Sequence, residues 1–367
     1  MICKPANNPT TPNEVWLLLD SFTFGGIETH VLELARGIAD FNVPVKVVLL
    51  SQFSTPSAIV AKLEQASIAF HYLADLTRPK NLASQPNVTK APSNHSIAQQ
   101  CWQLRRAIKK HQPMAIHAHG YKASIISKLA VKTVPGLTRQ ITTYHAGEVP
   151  SGKVRLYDAL DRYSSPLSKH SLCVSPQIQA RLPVKSHCLN NFVGTQSAVK
   201  SQGKQLAFVG RLSHEKGPDS FLDLAMLHPE HSFYVYGDGP MQEELAQRAL
   251  HNVHLLGFSN DMHQCWQNIG LLIITSRFEG LPMTALEAMS RGIPVLALNV
   301  GALEKLIDQA SNGWVVDDIT ALSQCLQQWF EMTTQEKDHM ANNAINTIEQ
   351  HYSTQAIVPK ILSLYQS

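Results

Sequence analysis

Along the chain, short apolar runs alternate with longer stretches in which apolar residues recur at helical spacing. The first run is Val15–Asp20; Glu28–Ala39 follows it, with Val31, Leu34, Ala35 and Ile38 on one helical face. Further runs are Val45–Leu50, Ile68–His71, Ala115–Ala118, Arg139–Thr143 and Ser171–Val174. Bounded by polar turns and separated by helical patterns, they predict a parallel, doubly wound α/β sheet. Near residue 195 the pattern starts afresh with Gln205–Val209, Phe233–Tyr236, Val253–Leu255, Leu271–Ile274, Pro294–Leu298 and Trp314–Val316. Two sheets in succession fit this better than one very wide sheet. The expected units are therefore 1–195 and 196–350, joined by a linker over Leu189–Gln205. A last helix, about Ser353–Tyr365 within 351–367, is placed to return to the first unit. Residues 77–96, rich in Pro, Asn, Ser and Lys and without periodicity, read as a mobile insertion in it.

Composition adds limits. A length of 367 residues suits two domains. Six cysteines are scattered with no Cys-x-x-Cys pair, which argues against a disulfide framework or zinc site and fits a reducing cytoplasm. The polar start Met1–Asn13 does not read as a signal peptide, and no run approaches the ~18 apolar residues of a spanning helix. The expected location is cytoplasmic, or peripheral on the inner face of the cytoplasmic membrane. The net charge of +3 hides an asymmetry: residues 1–195 carry 21 Lys+Arg against 10 Asp+Glu, and the rest carry 10 against 18. A basic first half facing an acidic second half points to an anionic surface or substrate on one side.

In open α/β sheets ligands sit beyond the carboxyl ends of the strands, so the chemistry is sought there. After Leu271–Ile274 comes Ser276-Arg277-Phe278-Glu279-Gly280-Leu281-Pro282-Met283-Thr284-Ala285-Leu286-Glu287. Pro282 suits the first turn of a helix and Gly292 its exit, so the loop 278–281 offers N–H groups at a positively polarised helix start. Glu279 in the loop and Glu287 in the helix can accept hydrogen bonds from separate hydroxyls of one ligand. The second stretch, Phe208-Val209-Gly210-Arg211-Leu212-Ser213-His214-Glu215-Lys216-Gly217, again ends a strand in glycine. Arg211 can grip phosphate bidentately and Lys216 adds a point charge, a pair suited to a leaving diphosphate. Taken singly, the carboxylates also read as a helix cap and a solvated residue, and the cations as a surface pair.

As an ordered set with Gly292-Ile293-Pro294-Val295, these stretches resemble family 4 of the retaining glycosyltransferases, and the resemblance spans nearly the whole chain. It implies the GT-B fold, two Rossmann-like domains facing across a cleft. It also implies that Arg211 and Lys216 hold a donor diphosphate, that Glu287 binds ribose hydroxyls and that Glu279 contacts the transferred sugar. Backbone around Phe278, Gly280, Leu281 and Pro282 would support sugar and phosphate.

The first half adds Phe24-Gly25-Gly26-Ile27-Glu28-Thr29 after the first strand, where Gly25 and Gly26 let the backbone approach a diphosphate or acceptor. A simple strand-to-helix turn is the competing reading. His117-Ala118-His119-Gly120-Tyr121 follows another strand; His119 looks like the family's cleft histidine, and His117 reads as structural rather than as a metal ligand. His145, in Thr143-Tyr144-His145-Ala146-Gly147, is a further candidate for the cleft. Tyr236-Gly237-Asp238-Gly239-Pro240 reads mainly as loop geometry. Two departures from the family stand out: Gly301-Ala302-Leu303-Glu304 where many relatives have Gly-Gly-x-x-Glu, and Asn190-Asn191-Phe192-Val193-Gly194 where a Pro-Asn-Gly hinge is usual.

No Asp-x-Asp tripeptide occurs. Arg211, Lys216 and the helix start supply positive charge themselves, so neither metal nor another cofactor is expected; the nucleotide sugar is a substrate. The expected partners are a nucleotide-sugar donor, a UDP-sugar favoured over a GDP-sugar, and a glycan or lipid-linked acceptor of cell-envelope polysaccharide or lipopolysaccharide assembly; no nucleic acid is expected. Cations on two helical stretches, Arg105, Arg106, Lys109 and Lys110, then Lys122, Lys128 and Lys132, suggest docking on anionic lipid, against a packed helix with a solvated face. Two rival functions share the architecture: a nucleotide-sugar epimerase and a catalytically silent binding subunit.

Overall fold

The computed structural model describes residues 13–21, 25–53, 57–77, 96–136, 138–145, 152–196, 198–248, 250–259 and 261–367. The polar start of the chain, most of the 77–96 segment, Phe24 and Ala146–Gly147 lie outside them. Two parallel sheets follow one another. The first holds β1 (Val15–Leu19), β2 (Val45–Leu49), β3 (Phe70–Tyr72), β4 (Ala115–His119), β5 (Arg139–Tyr144), β6 (His170–Cys173) and β7 (His187–Cys188), in the order β3-β2-β1-β4-β5-β6-β7. The second holds β8 (Gln205–Val209), β9 (Phe233–Tyr236), β10 (Val253–Gly257), β11 (Ile269–Ile274), β12 (Val295–Leu298) and β13 (Gly313–Val316), in the order β10-β9-β8-β11-β12-β13. Central strands such as β1 and β11 are apolar runs because helices cover both faces.

Each sheet has a core on either side. Leu17, Val31, Leu34 and Ile141 belong to one face of the first sheet, and Trp16, Leu18, Leu104 and Ile126 to the other. In the second sheet Leu272, Leu286 and Ile293 share one cluster, and Phe208, Phe221 and Leu271 the other. The helix Thr354–Gln366 packs on the first sheet, placing Ile357, Val358, Ile361 and Tyr365 among its core residues.

The join between the halves is narrow. Phe192 is fully buried in the first core, and its neighbour Val193 belongs to the second. Val193 N donates to Tyr352 O at 2.9 Å, and Thr354 N donates to Val193 O at 3.2 Å, so two crossing segments are tied side by side.

Two expectations need correction. Pro282 precedes the helix Met283–Met289 as its N-cap instead of lying in its first turn. Lys128 does not face solvent: its side chain is 0% exposed and bonds Asp161 Oδ1 at 2.7 Å, Asp161 O at 2.8 Å and Tyr144 OH at 3.0 Å. Lys122 pairs with Asp20. Lys122 and Lys128 thus serve packing, because burying a charge requires partners and these supply them, whereas Lys132 is exposed.

Candidate active site

Between the two sheets lies a cleft of ≈ 1210 Å³. The helix Gly26–Asp40 forms one wall with Gly25, Gly26, Thr29 and Glu33; the other carries Gly210, Arg211, Lys216, Glu279 and Glu287. Residues far apart in sequence meet there because β8 and β11 are neighbours and both end at the cleft.

The helix Gly26–Asp40 begins tightly: Gly25 N donates to Glu28 Oε2 at 3.0 Å and Thr29 Oγ1 to Gly25 O at 3.0 Å. Its next N–H groups have no intrahelical acceptor, as at any helix start. Opposite, Lys216 Nζ is 2.6 Å from Glu279 Oε1, which also accepts from Ser276 Oγ at 2.8 Å. The phosphate candidate and the sugar candidate are therefore partners of each other, and Glu279 is only 9% exposed. Gly217 closes this loop with φ +61°; a Cβ there would stand 2.2 Å from Thr275 O. Only glycine allows the chain to turn so close to the neighbouring strand end.

Arg277, which carried no role in the sequence, braces this wall. Its guanidinium holds Asp219 with contacts of 2.9 and 2.5 Å and donates to His214 O at 2.9 Å. That hydrogen-bonded pairing keeps the Asp219 carboxyl below its ordinary range. The backbone N–H groups of Arg277 and Phe278 both reach Glu215 O. The two motifs are thus one hydrogen-bonded unit.

Glu287 lies in the cleft wall with Arg291 one turn on. Burial raises its carboxyl to about 7; Arg291 opposes that shift and Glu33, across the cleft, reinforces it. Glu33 itself accepts from Gly194 N at 2.7 Å and Arg36 at 2.9 Å, tying the first wall to the crossing segment. Glu33 and Arg291 were not singled out from the sequence. Glu33 lies on an amphipathic helix and Arg291 in the turn after the helix Met283–Met289, positions that say nothing about which element will face them.

The remaining candidates fall elsewhere. Phe278 is 53% exposed and is not among the cleft-lining residues, whereas Leu281 is buried in the second core. Gly280 and Pro282 also lie off the lining, and Gly280 O accepts from Ala302 N at 2.8 Å. Gly301 O accepts from Gln177 of the first half at 3.1 Å, and Leu281 O from Asn191 at 2.8 Å. These four residues form a braced loop behind the wall, and the 301–302 departure packs directly on it. Gly237 and Asp238 line the cleft beside Gly210.

His119 is 1% exposed, off the cleft lining, and its Nδ1 shares a hydrogen bond of 3.0 Å with His145 Nε2. His145 lines a separate cavity of ≈ 40 Å³ with Gly120, Tyr121 and Thr143. Burial holds His119 and His145 well below the ordinary histidine range, so both are neutral at physiological pH. His117 contacts Tyr365 OH and Thr143 Oγ1, each at 2.7 Å, and is fully enclosed. His30, from the helix Gly26–Asp40, lies against His119 and His145 with centroid separations of 5.5 and 4.7 Å.

Comparison with known proteins bears on this geometry. Residues 24–184 match the model described as Glycosyltransferase Family 4, and residues 194–347 the model described as Glycosyl transferases group 1. The O-antigen biosynthesis glycosyltransferase WbnH of Escherichia coli is 25% identical over 233 residues, covering 59% of this chain and 67% of the relative. The Escherichia coli UDP-Gal:alpha-D-GlcNAc-diphosphoundecaprenol alpha-1,3-galactosyltransferase is 22% identical over 304 residues, covering 71% and 77%. Among solved structures, Anabaena Alr3699/HepE in complex with UDP and glucose superposes with a TM-score of 0.75 at 20% identity, covering 96% of this chain and 99% of that one. TarM gives 0.77 at 14% identity, covering 98% and 100%. These structural likenesses establish the GT-B fold. With one family model spanning most of the first sheet unit and the other most of the second, the chain belongs to glycosyltransferase family 4.

Proposed function

We propose that this glycosyltransferase moves a sugar from a nucleoside-diphosphate donor, a UDP-sugar, with retention of anomeric configuration and without a metal ion at the diphosphate. The observation that carries the reading is the convergence of Arg211, Lys216, Glu279 and Glu287 on one cleft wall, facing the glycine turn Gly25–Gly26. Cations supply the charge that a departing diphosphate needs, and preorganised charge of this kind is usually the largest catalytic contribution. Lys216 already pairs with Glu279, so diphosphate binding exchanges one anionic partner for another and leaves Glu279 beside the sugar. Glu287 accepts from ribose hydroxyls. The anomeric C–O bond to the diphosphate breaks as the acceptor hydroxyl attacks the same face, and a departing phosphate oxygen takes the hydroxyl proton. The similarity to HepE, a protein solved in complex with UDP and glucose, supports the donor class.

The acceptor reading rests on relatives named for O-antigen biosynthesis and for a diphosphoundecaprenol-linked substrate. They favour a glycan or lipid-linked acceptor in cell-envelope polysaccharide or lipopolysaccharide assembly. Among the described residues no helix is long and apolar enough to cross a membrane. Peripheral contact is supported by the helix Gly152–Tyr163, where Leu156, Leu160 and Tyr163 recur at helical spacing and are 63%, 50% and 75% exposed. Trp102, with Arg106 stacked on it, adds a cationic edge on the helix Ile97–His111. Sedimentation with anionic liposomes at low salt should therefore fall several-fold in a Leu156→Ser/Leu160→Ser variant; equal sedimentation of both proteins removes the membrane reading.

The donor reading is tested by thermal shift against nucleoside diphosphates and nucleotide sugars. A ligand at about 100 times its dissociation constant stabilises the fold by roughly 2.7 kcal/mol. A shift with the uridine series that is lost in Lys216→Ala is the expected result. Absence of a shift with every nucleotide would overturn it.

A further inference from the structure

Outside the cleft lining, three histidines converge on one point. His30, His119 and His145 each offer a ring nitrogen, and the three atoms lie within 4.8 Å of one another. They come from the helix Gly26–Asp40, the end of β4 and the residue after β5. His30 is 3% exposed. Both of its ring nitrogens, and Nε2 of His119, are buried with no partner at hydrogen-bond distance among the described residues, the Asn191 side chain standing close enough to His30 only to favour its protonated form. His117, one layer away, is the contrast: each of its nitrogens has a hydroxyl within 2.7 Å. A polar core position normally has its partners; His30 has none at hydrogen-bond distance and His119 has only His145.

We propose that His30, His119 and His145 form a binding site for one divalent transition-metal ion of the zinc type, separate from the diphosphate site. Three imidazoles without a carboxylate select zinc, cobalt, nickel or copper over magnesium and calcium, which demand oxygen ligands. Ligands at roughly 2.0–2.1 Å in a tetrahedron stand about 3.4 Å apart. The His119–His145 pair is near that spacing at 3.0 Å, and rotation of the His30 ring brings in the third nitrogen. The cavity of ≈ 40 Å³ beside His145 has room for a water as fourth ligand and provides a way in. Asp158 and Asp161 line the same cavity but are already paired with Arg162, Arg181 and Lys128, so the fourth position falls to water. Burial keeps these imidazoles neutral, so each retains one lone pair; the hydrogen bond between His119 Nδ1 and His145 Nε2 uses one of them, and a metal ion would displace its proton.

The test uses the full chain, stripped with a chelator, and needs no turnover. Titration with Co²⁺ should give visible ligand-field bands saturating at one ion per chain, and Zn²⁺ should displace the cobalt. His30→Ala should weaken Zn²⁺ binding at least ~100-fold, since it removes a direct ligand where changes in outer-shell partners already cost about 10–100-fold, while His117→Gln keeps it. If His30→Ala lacks the native circular dichroism spectrum, His145→Asn takes its place. Absence of cobalt bands, or binding that His30→Ala and His145→Asn leave unchanged, overturns the site in favour of adventitious surface histidines. A second arm rests on the transfer reading above and asks whether the site is coupled to the sugar in the cleft whose wall the helix Gly26–Asp40 forms: Zn²⁺ should slow transfer by the wild type and not by His30→Ala. Equal slowing of both severs the site from the sugar, whereas loss of transfer without any metal speaks only to the function.

Discussion

On the proposed function, Glu287 is where a single residue links folding to donor binding. Its carboxyl is raised from 4.5 to about 7, first by burial and then by Glu33 across the cleft, with Arg291 opposing. The folded chain therefore keeps a proton that the unfolded chain releases at lower pH. Stability attributable to this group is complete below about pH 4.5 and declines as pH rises through about 7. Urea unfolding at pH 5 and pH 7.5 should show that decline in the wild type and less of it in Glu287→Gln. Donor binding runs the other way, because only the carboxylate is a full acceptor for ribose hydroxyls. Affinity for a nucleotide sugar, whose diphosphate diester does not titrate in this window, should tighten between pH 6 and pH 8. Glu287→Gln should flatten that trend; parallel profiles for the two proteins would sever Glu287 from the ribose.

Helices here are placed by what their buried sides demand. The helix Gly152–Tyr163 turns Asp158 and Asp161 inward and Leu156, Leu160 and Tyr163 outward, the reverse of an ordinary surface helix. Its inward partner is Lys128; burial pushes the lysine down and Asp161 up, each opposed by the other. Removing one member leaves a buried charge alone, so Asp161→Ala should lower stability by about 3–5 kcal/mol. Lys128→Met with Asp161→Leu should recover most of it, and a double-mutant cycle by urea unfolding reads the coupling. Additive single effects would show that the two do not act as a pair. The helices Gly26–Asp40 and Thr354–Gln366 touch through Gly37, where a Cβ would meet Thr354 Cγ2 at 2.6 Å. That close approach lets the end of the chain dock on the helix that forms the first cleft wall.

At the scale of the whole molecule, two crossing segments join two cores. Phe192 is anchored in one and Val193 in the other, so on that segment the crossing takes place between adjacent residues. The last helix commits the chain's end to the first core. Ile357, Val358, Ile361 and Tyr365 each contribute on the order of 1.5–3 kcal/mol by burial, together comparable with a domain's whole stability of roughly 5–15 kcal/mol. A chain truncated before Ser353 should consequently aggregate or bind a hydrophobic dye strongly. Cooperative unfolding with native-like near-ultraviolet dichroism would show the helix to be dispensable.

Most strands were legible because a strand covered on both faces must be apolar throughout, and runs such as Gln205–Val209 and Phe233–Tyr236 match their strands end to end. β7 was not, since His187–Cys188 is two residues long and half polar. The position of Arg211, Lys216, Glu279 and Glu287 at strand ends was legible too, because parallel sheets place their loops at one edge. The sequence by itself thus determined the strand-helix alternation, the two-sheet division and the family's ordered motifs, all of which follow from short-range pattern. Tertiary structure alone decided that Lys216 meets Glu279, that Lys128 is buried on Asp161, that Phe278 lies off the cleft lining, and that His30 completes a cluster with His119 and His145. Each of those depends on which helix or loop faces which across the fold. Spacing along a chain does not encode that; the packing of the two sheets does.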